Sequence, residues 1–395
     1  MTLAIADLPV VDSHCHLFLP SLETRPLDRF WTLSTLPVPP EDIHSTVFFQ
    51  MVKKRFAQFL GLSEDAPFEA LAEERSALYR ADPAGYVERL FADAGLGTLL
   101  VDIGYPSLEN EGYEVNPDDI KTILPRREVR FVVGVERVLH SLLKRGLSFA
   151  GFTEGFRVEL ARQVAQWQAV AVKSTIAYHT GLDIRPVARD QAERAYFRIV
   201  RQPQVNGAMQ YGQESRSEDA KVYRDFMLLE TIEFCLEHSL PLQLHTGMGA
   251  VPAIDVRLSN PLNLRWLISD PHFGRATIVL VHAGYPNHAE AAFLVNTYPN
   301  LWLDLSETVP FVGSGVRSRL LEVFEMAPLR KVMYGSDGVN VPETLWFSCV
   351  EFKQRLAEAL DTLVSAGQVT EEFALESAAG ILAANSRRLY GLSHQ

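Results

Sequence analysis

Val10-Val11-Asp12-Ser13-His14-Cys15-His16 is an apolar run that ends in a His-x-His pair. On a β-strand, residues i and i+2 face the same way, so both imidazoles aim at one point. Two converging imidazoles are half of the coordination shell a transition metal needs. By the same alternation Asp12 lies on the histidine face one step deeper, placed to orient an imidazole. Cys15 has the opposite parity and reads as a small buried apolar residue against a helix layer.

Seven further apolar runs follow, at Thr98–Ile103, Val129–Glu136, Ala169–Ile176, Pro241–His245, Thr277–His282, Leu301–Leu305 and Lys331–Tyr334. Several are near-continuous, as expected of parallel strands buried on both faces. The segments between them carry helical periodicity. Asp219–Glu237, for example, sets Val222, Phe226, Leu229, Ile232 and Phe234 on one broad stripe. Eight strands alternating with helices predict an α/β fold, a (β/α)8 TIM barrel. A doubly wound open sheet is the alternative, but no Gly-x-Gly-x-x-Gly follows the first strand.

One segment breaks the rhythm. Leu17–Gly97 separates strands one and two by far more than one crossover helix requires, and holds a Pro-rich loop (Pro37, Pro39, Pro40) and helical stretches at Ile43–Leu60 and Phe68–Tyr79. Residues 1–395 therefore read as one domain with a helical insertion between strands one and two. Because the insertion leaves the C-terminal end of strand one, it is expected over the barrel mouth as a lid or subunit contact, and a homodimer is an expectation for such an arm. Trp31 and His44 are its candidates for reaching the mouth.

The bulk properties narrow the function. The 395 residues are 47% apolar and 22% charged, ordinary for a globular enzyme with a large core. A net charge of −12 argues against nucleic-acid and anionic-membrane partners, which require a basic surface. No apolar run approaches the roughly 20 residues of a membrane span. Met1-Thr2-Leu3-Ala4 lacks the basic start of a signal peptide, and Cys15, Cys235 and Cys349 are too few and too widely spaced for a disulfide framework. A cytoplasmic protein acting on a small molecule is expected.

In a barrel of this kind chemistry gathers at the C-terminal ends of the strands. His14 and His16 end strand one, Lys173 lies in strand four, His245 ends strand five, His282 ends strand six and Asp337 follows strand eight. Asp337 has a second reading as a helix N-cap. Lys173 points into an apolar strand, where an unpaired ammonium is costly, so a buried ion pair is one reading of it and a free amine that contacts substrate is another. Gln243 stands to His245 as Asp12 does to His14. Glu136 and Arg137 end strand three. Tyr178 and His179 follow strand four, and Arg137, His179 and Arg185 are candidate anchors for a substrate carboxylate.

Five ordered strings carry a resemblance: Val11-Asp12-Ser13-His14-Cys15-His16, Leu244-His245-Thr246-Gly247, His282-Ala283-Gly284-Tyr285-Pro286, Leu303-Asp304-Leu305-Ser306 and Tyr334-Gly335-Ser336-Asp337. With the closing Ala384–Leu392, they resemble the amidohydrolase superfamily, most closely its amidohydrolase-2 branch. Ala177-Tyr178 followed by Gly181-Leu182 is similar to the amidohydrolase-like domain fused to glutamine synthetase in some plant and fungal proteins. The resemblance covers strand one and most of Ala169–Leu392, and does not extend to the insertion.

The resemblance implies a metal-dependent hydrolase on a TIM barrel. His14, His16 and Asp337 would hold one divalent ion, with Asp337 also moving a proton, and His245 and His282 would hold a second. Lys173, once it has reacted with CO2, would be a carbamate bridging the two ions. Zinc suits imidazole-rich sites with a carboxylate, and manganese is the alternative. The expected reaction is cleavage of an amide, lactone or ester by activated water. Two other readings share the scaffold: a mononuclear decarboxylase or lyase in which His282 is acid/base, and a non-catalytic regulatory barrel that keeps a metal for stability.

Overall fold

A computed structural model of the chain describes residues 3–17, 27–103, 121–122, 124, 126–200, 217–250, 254–306 and 311–393. Eight strands form one sheet in sequence order: β1 (Val10–His16), β2 (Leu96–Asp102), β3 (Glu128–Gly134), β4 (Ala171–Ser174), β5 (Leu242–His245), β6 (Ile278–Val281), β7 (Leu301–Asp304) and β8 (Val332–Met333). Each pairs in parallel with the next. The ring is drawn together where the Ser13 N–H donates to the Tyr334 carbonyl (3.1 Å) and the Asp337 N–H to the His14 carbonyl (2.9 Å). The predicted (β/α)8 TIM barrel is the observed architecture.

Two apolar layers follow from strand alternation. Val11, Leu100, Val132, Ala171, Val279 and Met333 meet inside the barrel, and Ala383, Tyr390 and Leu392 of the C-terminal segment join them. The alternate residues, among them Val10, Leu99, Val101, Val133, Val172 and Leu244, pack outward against the helices. Cys15 belongs to this outer layer, with its Sγ towards the Leu100 carbonyl, as its parity predicts. All three cysteines are buried and free. Among the described residues no helix is long and apolar enough to cross a membrane.

Several boundaries move. β3 ends at Gly134, and Glu136 and Arg137 lie in the first turn of the helix Val135–Leu143 rather than on the strand. β4 stops at Ser174, because Ile176–Tyr178 turns into a 3-10 helix. The insertion helix expected over Ile43–Leu60 is two helices, Pro40–His44 and Val47–Leu60. Thr46 breaks it: its Oγ1 accepts from the Phe49 N–H at 3.1 Å, capping a new helix start. Two more helices follow, Phe68–Ala81 and Pro83–Ala94, the second opened by Asp82 as N-cap and Pro83 at the first position.

The insertion packs on the helix Pro342–Ser365 that follows β8. Trp31 and Phe48 meet Phe347, Phe56 and Phe59 meet Trp346, and Trp346 Nε1 donates to Asp93 at 2.7 Å. Trp31 is buried in this seam, and His44 stacks on Phe49 and pairs with Asp28. Beneath the aromatics lies a buried ion pair. Arg75 Nε is 2.6 Å from Glu343 Oε1, and the Tyr86 hydroxyl donates to the same oxygen at 2.8 Å. Arg75→Met strands the Glu343 carboxylate in an apolar seam and is expected to lower stability by about 3–5 kcal/mol. Adding Glu343→Leu should recover most of the loss, with urea midpoints of the wild-type, both single and the double variants closing the cycle.

Candidate metal centre

A β-bulge aims the first two histidines. The β1–β2 register shifts between Asp12 and Cys15, and such an extra residue re-aims the side chains beyond it. Val11 faces the barrel interior while Cys15 faces outward, so the alternation is broken between them and His14 and His16 turn into the mouth. Asp12 therefore does not share the histidine face. Its carboxylate instead accepts from the Ser336 N–H (2.9 Å) and Ser336 hydroxyl, tying β1 to the turn after β8. Burial pushes the Asp12 carboxyl up to about 7.

His282 and Asp337 reach the same space by another route. Val279 and Val281 face the interior, so strict alternation would turn His282 towards the helices. The strand ends instead, and His282 takes a left-handed backbone (φ 69°) at the head of the turn His282–Gly284. Asp337 also has a left-handed backbone (φ 54°). Non-glycine residues in this region carry of order 1–3 kcal/mol of strain, which collects at functional sites.

The six predicted side chains converge. His16 Nε2 and His14 Nε2 lie 3.1 and 3.2 Å from Asp337 Oδ1. Lys173 Nζ is 2.9 Å from His14 Nε2, and His282 Nε2 is 3.0 Å from His245 Nδ1. The His14 and His282 rings are 5.5 Å apart, joining the two halves. His14, His282 and Asp337 can place one ligand atom each within 4.8 Å of one another, and so can His14, His16 and Asp102. Asp102 was missed by sequence reading. It ends β2 two residues after the inward-facing Leu100, so strand alternation alone pointed to it.

Partners behind the rings decide which nitrogens are bare. His245 Nε2 faces the Met248 carbonyl at 2.9 Å and must donate to it, leaving Nδ1 as a lone pair. His282 Nδ1 lies 3.0 Å from the Ser306 hydroxyl, whose proton goes to the Asp304 carboxylate. Ser306 therefore accepts from Nδ1–H, and His282 Nε2 is bare. His14 Nδ1 lies 2.9 Å from Gln243 Oε1, an acceptor, so His14 Nε2 is bare too. Gln243 thus serves His14 across the barrel, not His245 on its own strand.

Two bare nitrogens 3.0 Å apart, and a bare nitrogen 3.2 Å from a carboxylate oxygen, repel unless a cation or proton lies between them. Burial holds the His245 and His282 imidazoles well below their ordinary pKa, and burial with the Lys173 charge lowers His14. Burial opposes ionisation of Asp337, but the imidazoles around it, with His16 Nε2 at 3.1 Å, hold its carboxyl well below the usual range. Neutral imidazoles and an ionised carboxylate are the donor set of a divalent transition metal. The residues fit such an ion.

The family model described as Amidohydrolase matches residues 149–392. The chain belongs to the amidohydrolase family. Protein fluG of Emericella nidulans is 33% identical over 253 residues, which are 62% of this chain and 28% of that protein. The chain thus spans under a third of that relative's length. Among solved structures, a protein described as a metal-dependent hydrolase from Lactobacillus casei superposes with a TM-score of 0.81 at 23% identity, over 98% of this chain and 96% of its own. A uronate isomerase from Thermotoga maritima superposes with a TM-score of 0.70 at 14% identity, over 98% and 95% of the two chains. At these identities the structural likenesses show the barrel fold.

The candidate substrate residues scatter. The Tyr178 ring lies 4.5 Å from that of His245, and its hydroxyl accepts from the Ala250 N–H at 3.0 Å. His179 follows in a buried turn. Arg137 donates to the Ile103 carbonyl at the exit of β2 (2.8 Å). Arg185 lies apart from the cluster, more than half exposed and paired with Asp183 and Glu218.

Gly247 couples the His245 and His282 exits. It has φ 75°, and an added Cβ would sit 2.3 Å from the Gly284 carbonyl carbon and 2.5 Å from the Tyr285 N and O. All three are backbone atoms. Gly247→Ala should force the two exits apart and lower stability by about 1–3 kcal/mol, read as a fall in the urea midpoint.

Proposed function

We propose that this protein is a metal-dependent hydrolase that cleaves an amide, lactone or ester bond of a small molecule. One observation carries the reading: the buried imidazoles of His14, His245 and His282 are each hydrogen-bonded from behind, which leaves the other ring nitrogen unprotonated, and His14 and His282 set theirs beside Asp337. His14, His16 and Asp337 would hold one ion, and His245 and His282 would hold a second. Zinc suits the set best, with manganese the alternative. When bound, such an ion lowers the pKa of water towards roughly 7 and polarises a carbonyl.

The protein's own groups supply the rest. Asp337 is ionised and accepts a proton from the attacking water, then returns it to the leaving group. His282, held by Ser306 and Asp304 with Nε2 unprotonated, would help to hold the ion or contact the reacting oxygen. Lys173, once it had reacted with CO2, would help to hold two ions as a carbamate; as an ammonium it donates to His14 Nε2. Metal content per chain separates these: two ions accompany a carbamate, and one ion with an unmodified lysine excludes it.

Solvent-oxygen labelling tests the reaction class. Metal-loaded protein should cleave members of an amide, lactone and ester panel and place one solvent 18O in the acid product. Turnover with release of CO2, or interconversion without label, would overturn hydrolysis in favour of a lyase or an isomerase. No turnover on any panel, with metal bound, would favour the regulatory barrel. Asp337→Asn is expected to lower kcat by about 10²–10⁴, measured on whichever substrate the panel identifies.

A further inference from the structure

His14 is oriented by a chain of hydrogen bonds that ends on the C-terminal helix. Gln243, one step below His245 in β5 and buried, donates both amide hydrogens: one to the Ser13 carbonyl and one to the Tyr390 hydroxyl, each at 2.9 Å. With both hydrogens placed, its Oε1 can only accept, and it accepts from His14 Nδ1–H at 2.9 Å. A flipped amide would set Oε1 against the Ser13 carbonyl and offer a donor to His14 Nδ1. That would move the ring proton to Nε2, the nitrogen that faces Lys173 and Asp337.

Tyr390 closes the helix Asn385–Tyr390 and reaches the barrel interior among Val11, Leu100, Val132 and Ala171. It is an odd residue for that place. The interior layer is otherwise aliphatic at these positions, and a buried hydroxyl there needs a partner. Its partner is the Gln243 amide. A phenylalanine would fill the same volume without placing a polar atom in the core.

We propose that Gln243 and Tyr390 are positioning residues of the metal centre, through which the C-terminal helix holds His14 in the tautomer that presents a bare Nε2. The proposal rests on the metal-centre reading for its purpose, but the tautomer it predicts is a property of the metal-free chain.

The test uses the full chain with 15N-labelled histidine. Long-range 1H–15N correlation reads the His14 tautomer in the metal-free protein, with His14→Gln assigning the signal, and chelator competition reads zinc affinity. Wild type should show the Nδ1–H form. Tyr390→Phe should give a mixture of tautomers and bind zinc about tenfold more weakly, and Gln243→Leu about 10–100-fold more weakly. Leu392→Ala removes packing from the same interior cluster without touching Gln243. It should lower the melting temperature and leave tautomer and zinc affinity unchanged.

A wild-type Nε2–H form, an unaltered tautomer in both Tyr390→Phe and Gln243→Leu, or an equal loss of affinity in Leu392→Ala would each overturn the inference. Failure of the wild type to bind zinc or manganese would overturn the proposed function instead, and the tautomer comparison would still decide this one.

Discussion

His245 Nδ1 and His282 Nε2 face one another across 3.0 Å with neither carrying a proton between them. Two lone pairs at that distance in a buried site repel, and nothing in the immediate geometry of the rings relieves them. The contact exists because stronger constraints act from outside it. The Met248 carbonyl takes one ring proton, and the Ser306–Asp304 pair takes the other. Around the rings the backbone is paired in the ladder of the barrel, and the Met248 N–H donates to the Tyr285 carbonyl at 2.7 Å between the two exits. The hydrogen bonding behind the rings is what holds the two nitrogens face to face. Asp304 takes a further part, accepting from the Ser13 hydroxyl on β1, so one carboxylate joins the supports of both halves.

The barrel supplies the frame for this arrangement at low cost. Parallel strands in sequence order put eight chain exits on one rim, and each needs to place only a residue or two. What the regular frame does not do is aim every side chain. β1 needs a bulge to turn His14 and His16 inward, and β6 needs to end one residue early. Irregularity gathers on β1, whose register also shifts between Val10 and Val11, and at the end of β6, while the pairings from β2 to β8 keep one register.

This contrast explains what could be read from the sequence. Eight apolar runs, their order and the polar residues at their ends are one-dimensional signals, and they located the barrel and the six convergent side chains. Residue parity was less reliable. Asp12 looked inward because the bulge between it and Cys15 leaves no mark in composition. Gln243 looked like a support for His245, its neighbour on the strand, but barrel curvature brings it to His14 across the interior. Tyr390 was invisible for the same reason, being far along the chain from everything it touches. Asp102 is legible from alternation alone, two residues beyond the inward-facing Leu100. The insertion's aromatic seam with Trp346 and Phe347 depends on tertiary packing that periodicity alone cannot assign.

The left-handed backbones at His282 and Asp337 have a consequence for how this protein responds to selection. At both positions glycine would adopt the same conformation without strain. Relief of backbone strain alone would therefore favour glycine at both positions. Lineages or laboratory libraries screened only for folding should drift towards quiet barrels.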